Sequence, residues 1–215
     1  LPPDCHPRGT LINQDGTVFE VGQGAKAGFS DIGVFRSYGH QFSEVVPANS
    51  CDRNLPVSGN KSFADGSLIV DNGTVYIVYQ SVKHGFNTKE TFESLGYNFD
   101  YVFPGDLSGY PLGSGIVSWD QTHGYGTLVD FDGTIYKATP DGLYGIPSMN
   151  IFRSHKFRLE RVVKASAADR AVERRADRAE REPVPDRRRD RGRVGHDRLR
   201  GDVDPGASGG ASGPG

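Results

Sequence analysis

Short apolar runs separated by glycine turns set the rhythm of the chain. Gly9-Thr10-Leu11-Ile12 leads to Asp15-Gly16, and Thr17-Val18-Phe19-Glu20-Val21 follows. Asp-Gly between two such runs is a strong hairpin signal, because a type I′ turn needs positive φ at both central residues. A second turn around Gly22 to Gly24 predicts a third strand over 25–29. Further on, the pattern changes period. Asn87 or Thr88 can cap a helix, with Glu90 three residues after Asn87 as a capping box. Thr91, Phe92 and Leu95 form a one-sided stripe, and Gly96 suits a left-handed stop. The predicted order is a three-strand meander, a short helix, another extended segment and a loop containing proline.

That order recurs. Gly9-Thr-Leu-Ile, Gly66-Ser-Leu-Ile and Gly126-Thr-Leu-Val open three stretches, and Asp15-Gly16, Asn72-Gly73 and Asp132-Gly133 follow at matching positions. Phe29, Phe86 and Ile146 correspond, as do Phe35, Phe92 and Phe152, and Val45, Val102 and Val162. In the first unit Ser30 takes the capping place and Gly39 the stop; in the third, Lys156 replaces the glycine. A register held this long is an internal repeat. The predicted class is α+β and strand-dominated, with three tandem units each made of a short antiparallel β-meander plus one short helix. Residues 1–8 read as the end of a preceding unit, 9–65 as unit 1, 66–125 as unit 2 and 126–164 as an incomplete unit 3. One unit carries too few core side chains to stand alone, so neighbours should pack together. A linear array, a compact three-unit body and a propeller lacking blades all satisfy the pattern.

Composition divides the chain at its far end. Residues 1–163 hold 12 basic and 17 acidic groups, whereas 164–215 hold 13 basic and 10 acidic, with no aromatic residue after Phe157. The stretch 165–215 is rich in Arg, Asp and Glu, then in Gly, Ser and Pro, and reads as a disordered tail. A frame change near the codon for Ala168 is a second explanation of that composition. A short helix from about 165 to 182 is a third feature its alanines allow. The Arg187-Arg188-Arg189 run fits a solvated polyampholyte or a weak anion contact. The near-balanced total, net −2, argues against a general nucleic-acid binder. No apolar run reaches the length of about 18 residues that a membrane helix needs, so no membrane insertion is expected.

The set Gly-Thr-Leu-Ile/Val, Asp/Asn-Gly-Thr-Val-Tyr, Phe-x-Ser-x-Gly-Tyr-x-Phe and Tyr-Pro-x-Gly, best kept from Gly66 to Gly113, resembles a tandem repeat of about 50–60 residues in secreted bacterial proteins. That repeat is often appended to cell-wall hydrolases or surface proteins. The resemblance covers 1–165 and implies an extracellular or cell-surface, non-catalytic module that tethers an enzyme to a wall or polysaccharide. The third unit departs from it at Lys156 and lacks the closing Pro-x-Gly.

Candidate chemistry is sparse. Gly22-Gln23-Gly24 with Gly28 misses the dinucleotide spacing by one residue and reads as turn glycines. Asp130-Phe131-Asp132-Gly133 starts like a calcium loop but lacks the later ligands. None of the six histidines forms a His-x-x-x-His pair, and His40 aligns with Tyr97 and Phe157, an aromatic packing slot. Neither Gly-x-Ser-x-Gly nor His-Glu-x-x-His occurs. No catalytic set, metal or cofactor is expected. The loop with the only tryptophan gathers Trp119, Asp120, Gln121, His123 and Tyr125. That mix suits a sugar, with an aromatic face for the ring and polar groups for hydroxyls. Its rival reading is that Trp119 plugs the seam between units 2 and 3. Cys5 and Cys51 both fall in unit-closing loops and can pair in an oxidising compartment. The expected function is a secreted repeat module that binds peptidoglycan or polysaccharide or spaces other domains. A hydrolase with a site between units and a purely structural surface protein are the alternatives.

Overall fold

The computed structural model describes residues 4–172; the Arg187–Arg189 run and the tail beyond 172 lie outside the described residues. In unit 1, β1 (Leu11–Gln14), β2 (Thr17–Val21) and β3 (Lys26–Phe29) form an antiparallel meander. Helix α1 (Ile32–Ser37) and a 3-10 turn follow, and the chain returns as β4 (Val45–Pro47), parallel to β1. Helix α2 (Ser50–Asn54) then leads to β5 (Val57–Lys61), parallel to β3, giving the order β4-β1-β2-β3-β5. Unit 2 repeats this with β6 (Ser67–Asp71), β7 (Thr74–Tyr79), β8 (Val82–Gly85), α3 (Lys89–Ser94) and β9 (Val102–Pro104). Unit 3 repeats it with β10 (Leu128–Phe131), β11 (Thr134–Thr139), β12 (Gly142–Gly145), α4 (Met149–Ser154) and β13 (Val162–Lys164). Both later sheets keep the order of the first without the fifth strand. In unit 2 that strand shrinks to two parallel bridges, Lys83 with Leu112 and Phe86 with Ile116.

Local chemistry explains the element ends. Asp15 and Gly16, Asn72 and Gly73, and Asp132 and Gly133 all have positive φ, as the hairpin turns require. Side chains of Asp31, Thr88 and Ser148 accept from the amides of Val34, Thr91 and Ile151. The cap of α1 is thus Asp31 and not Ser30. With Thr88 as the cap of α3, Glu90 stands one place too early for a capping box. Gly39, Gly96 and Lys156 close the helices at φ of 74°, 81° and 59°. Lys156 therefore keeps the left-handed stop, at a cost of about 1 kcal/mol for a residue with a Cβ.

Phe35, Phe92 and Phe152 are each almost wholly buried. Phe29 meets Phe35 edge-on at 5.3 Å, and Phe86 meets Phe92 edge-on at 5.0 Å. The aligned rings of His40, Tyr97 and Phe157 lie 5.4, 5.5 and 5.6 Å from them. His40 occupies an aromatic slot.

Adjacent strand residues Leu11 and Ile12, Leu68 and Ile69, and Leu128 and Val129 are all buried. Neighbouring side chains on a strand point to opposite faces, so each sheet is covered on both. The leucine face packs with its own helix. The other face of unit 2, with Ile69 and Val78, joins the cluster of Leu11, Phe29, Val34 and Phe35 from unit 1. Val129 of unit 3 likewise joins the core of unit 2. In unit 1 that second face, Ile12 and Val21, is covered by Leu55 with Cys5 and Ala48. No unit has a self-sufficient core, which is why the repeats occur together.

The third unit runs past the expected boundary at 164. Residues 167–172 are helical. Ala165-Ser166-Ala167-Ala168-Asp169-Arg170 aligns with Ala48-Asn49-Ser50-Cys51-Asp52-Arg53. The reciprocal cap of Asn49 and Asp52, at 2.9 Å both ways, is repeated by Ser166 and Asp169 at 2.8 and 3.1 Å. The pair Arg53–Asp15 recurs as Arg170–Asp132. The repeat register thus holds through Arg170. Among the described residues no helix is long and apolar enough to cross a membrane.

Candidate functional site

Two histidine–aspartate pairs stand at corresponding places, the second buried and the first with a part-exposed histidine. The His6 amide donates to Asp52 Oδ1 at 3.0 Å, and its ring Nδ1 lies 2.6 Å from Oδ2. The His123 amide donates to Asp169 Oδ1 at 2.9 Å, with Nδ1 2.5 Å from Oδ2. His123 Nε2 also reaches the Leu95 carbonyl at 2.8 Å, where α3 ends. Burial alone would push both carboxyls up. The histidine ring and amide, with the Asn49 or Ser166 amide, outweigh burial and hold Asp52 and Asp169 below the usual carboxylate range. Beside the first pair, Cys5 and Cys51 are bonded, with Cα atoms 5.0 Å apart.

Unit 2 fills the same place with different chemistry. Phe63 stands where His6 does, and Leu107 takes the backbone role of Asp52. The buried Lys26 ammonium donates to Gln14 Oε1 and to the Asp52 and Arg53 carbonyls at 2.7, 2.7 and 3.0 Å, and Lys83 donates to the Leu107 carbonyl at 2.8 Å. The Phe63 amide, lacking a carboxylate, donates to Tyr110 Oη at 2.9 Å. These contacts tie the strand entry of each unit to its own closing loop. Lys26, Asp52, His123 and Asp169 are buried, which leaves no room for a substrate among them, whereas His6 is part-exposed.

The residues of the tryptophan loop do not converge. Trp119 is 63% exposed and so does not plug the seam. Gln121 Oε1 accepts from the amides of Val117 and Ser118 at 2.6 and 2.9 Å, and Asp120 accepts from the Ser118 hydroxyl. Tyr125 packs edge-on against Tyr79 at 5.0 Å. His123 lies in the interior with Asp169 and is not part of the loop surface. What the loop presents is one tryptophan face on a turn braced by its own polar side chains.

A concavity lies where the three units meet. It encloses about 1210 Å³ and is lined by matching positions: Gly39, Gly96 and Lys156; His40, Tyr97 and Phe157; Gln41, Asn98 and Arg158; Glu44, Tyr101 and Arg161. Beside it the start of unit 3 and the join of units 1 and 2 approach so closely that a Cβ on Gly126 would fall 2.0 Å from the Asp65 carbonyl oxygen. Units 1 and 3 are joined by Lys156, whose ammonium donates to both oxygens of Glu44 at 2.7 and 2.6 Å and to His40 Nδ1 at 3.1 Å. The Lys156 bond, with the Gln41 amide, holds the Glu44 carboxyl low. Burial, then the Lys156 charge, holds the His40 imidazole below its ordinary value against the pull of Glu20 and Glu44. Burial, aided by Glu20, pushes the Tyr38 hydroxyl up to about 12.

The wall is cationic: seven lysines and arginines against three carboxylates. Among the described residues Arg36, Lys137, Arg153 and Arg161 have no carboxylate partner, while Arg158 lies 3.7 Å from Glu160. Arg161 stacks at 6.0 Å over Tyr101, and burial followed by Arg158 lowers its proton affinity. These charges are not shared by the units; position 36 is Arg, Glu93 in unit 2 and Arg153 in unit 3. Sequence reasoning missed the groove because its members come from three helix ends far apart in the chain.

No family model matches the chain, and no curated protein matches it. Two solved structures are similar at 9% identity: the periplasmic assembly from the ESX-5 inner membrane complex, TM-score 0.22, and an intact ESX-5 inner membrane complex, TM-score 0.21. Each match covers 81% of this chain, which spans 60% and 52% of those chains.

Proposed function

We propose that this chain is a non-catalytic, extracytoplasmic repeat module that binds an acidic cell-surface polymer, either peptidoglycan with its free carboxylates or an acidic polysaccharide. The observation that carries this reading is the groove shared by three units, where cations outnumber carboxylates seven to three. Arginine's planar fork suits carboxylate and phosphate groups, and tyrosine faces such as Tyr101 suit sugar rings. The exposed Trp119 offers a second, weaker contact. The residues common to all units pack, while the groove charges differ from unit to unit, which is the distribution expected of a scaffold bearing one site. The Cys5–Cys51 bond fits an oxidising compartment.

Titration calorimetry with polygalacturonate, and with dextran as the uncharged control, tests the reading. Polygalacturonate binds, binding weakens as salt rises, and the double variant Arg153→Ala/Arg161→Ala loses about tenfold or more in affinity. Equal binding of dextran, or full binding by the double variant, rules the groove out. Retention on purified peptidoglycan by the wild type and by Trp119→Ala separates the loop from the groove.

A further inference from the structure

The seam between units 1 and 3 is closed by three residues that break the repeat. Lys156 stands where the other units have Gly39 and Gly96, at a φ of 59° that disfavours a side chain. His40 stands where they have Tyr97 and Phe157, and Glu44 where they have Tyr101 and Arg161. Packing asks for an aromatic ring at position 40 and does not ask for one that ionises. The Lys156 ammonium carries only donors, so the His40 Nδ1 that it meets at 3.1 Å must accept. The ring is therefore neutral, with its hydrogen on Nε2. That nitrogen is buried and, among the described residues, has no hydrogen-bond partner; Glu20 Oε2 lies 3.9 Å away. Glu44 Oε2 lies 3.7 Å from Nδ1. The groups facing the ring are Glu20 from β2, Glu44 from the 3-10 turn, Lys61 from β5, which bonds to Glu20, Lys156 beyond α4, and Tyr38, whose ring stacks at 5.9 Å. Two carboxylates thus flank a ring that bonds to neither.

We infer that Lys156 is a polymer-binding cation held in reserve and that His40 releases it. A proton on the imidazole removes the lone pair that Lys156 bonds, sets a like charge beside the ammonium, and turns both ring nitrogens into donors toward Glu44 and Glu20. Glu44 then turns to the imidazolium, and the freed ammonium joins Arg36, Lys137, Arg153 and Arg161 in the groove. Proton uptake adds one charge and uncovers a second, so the groove takes an acidic polymer more tightly as the pH falls. Burial and the Lys156 charge hold the imidazole below its ordinary value, which places the change below about pH 6.5. The inference rests on the polymer-binding reading for its ligand and on the clasp geometry for its switch.

The clasp is read without any ligand. In an NMR titration of the full chain from about pH 7.5 to about pH 5, the His40 ring titrates below about pH 6.5, and the Lys156 Nζ and Glu44 carboxyl signals move at the same midpoint. In His40→Phe, which takes the ring of unit 3, that step disappears from both. Lys156 and Glu44 signals that ignore the His40 midpoint overturn the inference. Binding is read by calorimetry with polygalacturonate, whose carboxyls stay ionised at about pH 7.5 and about pH 5.5 alike. The wild type binds about threefold or more tighter at the lower value. His40→Phe shows equal affinity at the two, and Lys156→Gly, which restores the glycine of units 1 and 2, loses most of the gain. A gain of full size in His40→Phe, or a wild type that binds without any gain, also overturns the inference. Polygalacturonate that binds at neither pH removes the polymer reading instead, and the NMR titration alone then decides the clasp.

Discussion

The entry of unit 3 and the entry of unit 2 solve one problem with opposite chemistry. In unit 3 a buried hydrogen-bonded pair, His123 and Asp169, anchors the strand entry; in unit 2 Phe63 and Leu107 fill the space and the Tyr110 hydroxyl takes the remaining amide. The backbone demand is identical, because a buried N–H must find an acceptor. How the rest of the volume is filled is free. An apolar pair can replace a buried ion pair at little cost, whereas half of an ion pair cannot stand alone. The aspartate is thus a structural residue despite its resemblance to a catalytic partner of histidine, and the groove charges, which bond to little, are the better candidates for function.

The comparison is sharpened most by removing one partner. Asp169→Ala leaves the His123 amide and Nδ1 without an acceptor and is expected to cost about 3–5 kcal/mol in urea unfolding. Acid acts on the same groups. The carboxyls of Asp52 and Asp169 sit below their unfolded values in the folded chain, so their stabilisation is complete above about pH 4 and is lost as pH falls through the depressed folded values. Acid unfolding of Asp169→Ala is expected to be less steep than that of the wild type. Reducing the Cys5–Cys51 bond, which closes a loop of sequence separation 46, should cost about 3–4 kcal/mol. Unit 3 keeps Thr122 and Ala168 there, so unit 3 amides should show no matching loss of exchange protection. Tyr110→Phe removes only the acceptor of the Phe63 amide and should cost about 1–2 kcal/mol.

Much of the fold was legible because each local signal was stated three times. Positive φ at Asp-Gly and Asn-Gly, the left-handed stop at Gly39 and Gly96, and the Phe35, Phe92 and Phe152 core all follow from residue chemistry in a fixed register. The burial of both sheet faces was hidden, since four-residue strands carry too little period to show it. The histidine–aspartate pairs were hidden for another reason. Their members lie 46 residues apart, and unit 2 breaks the recurrence with Phe63 and Leu107. Comparing unit 1 directly with unit 3 reveals it: His6, Asp52 and Arg53 recur as His123, Asp169 and Arg170. The charge-rich composition beyond 164 masked that match. Trp119 was visible as a residue, but its exposure depends on the Gln121 brace, which no pattern encodes.

The smallest expected effect is also the most direct test. If the entry site asks only for a satisfied amide and a filled volume, unit 3 should accept the chemistry of unit 2. The triple variant His123→Phe/Asp169→Leu/Arg170→Tyr, compared with Asp169→Ala by urea unfolding, should lie within about 1.5 kcal/mol of the wild type. A triple variant as unstable as Asp169→Ala would contradict the account, since the histidine–aspartate pair would then be required for itself.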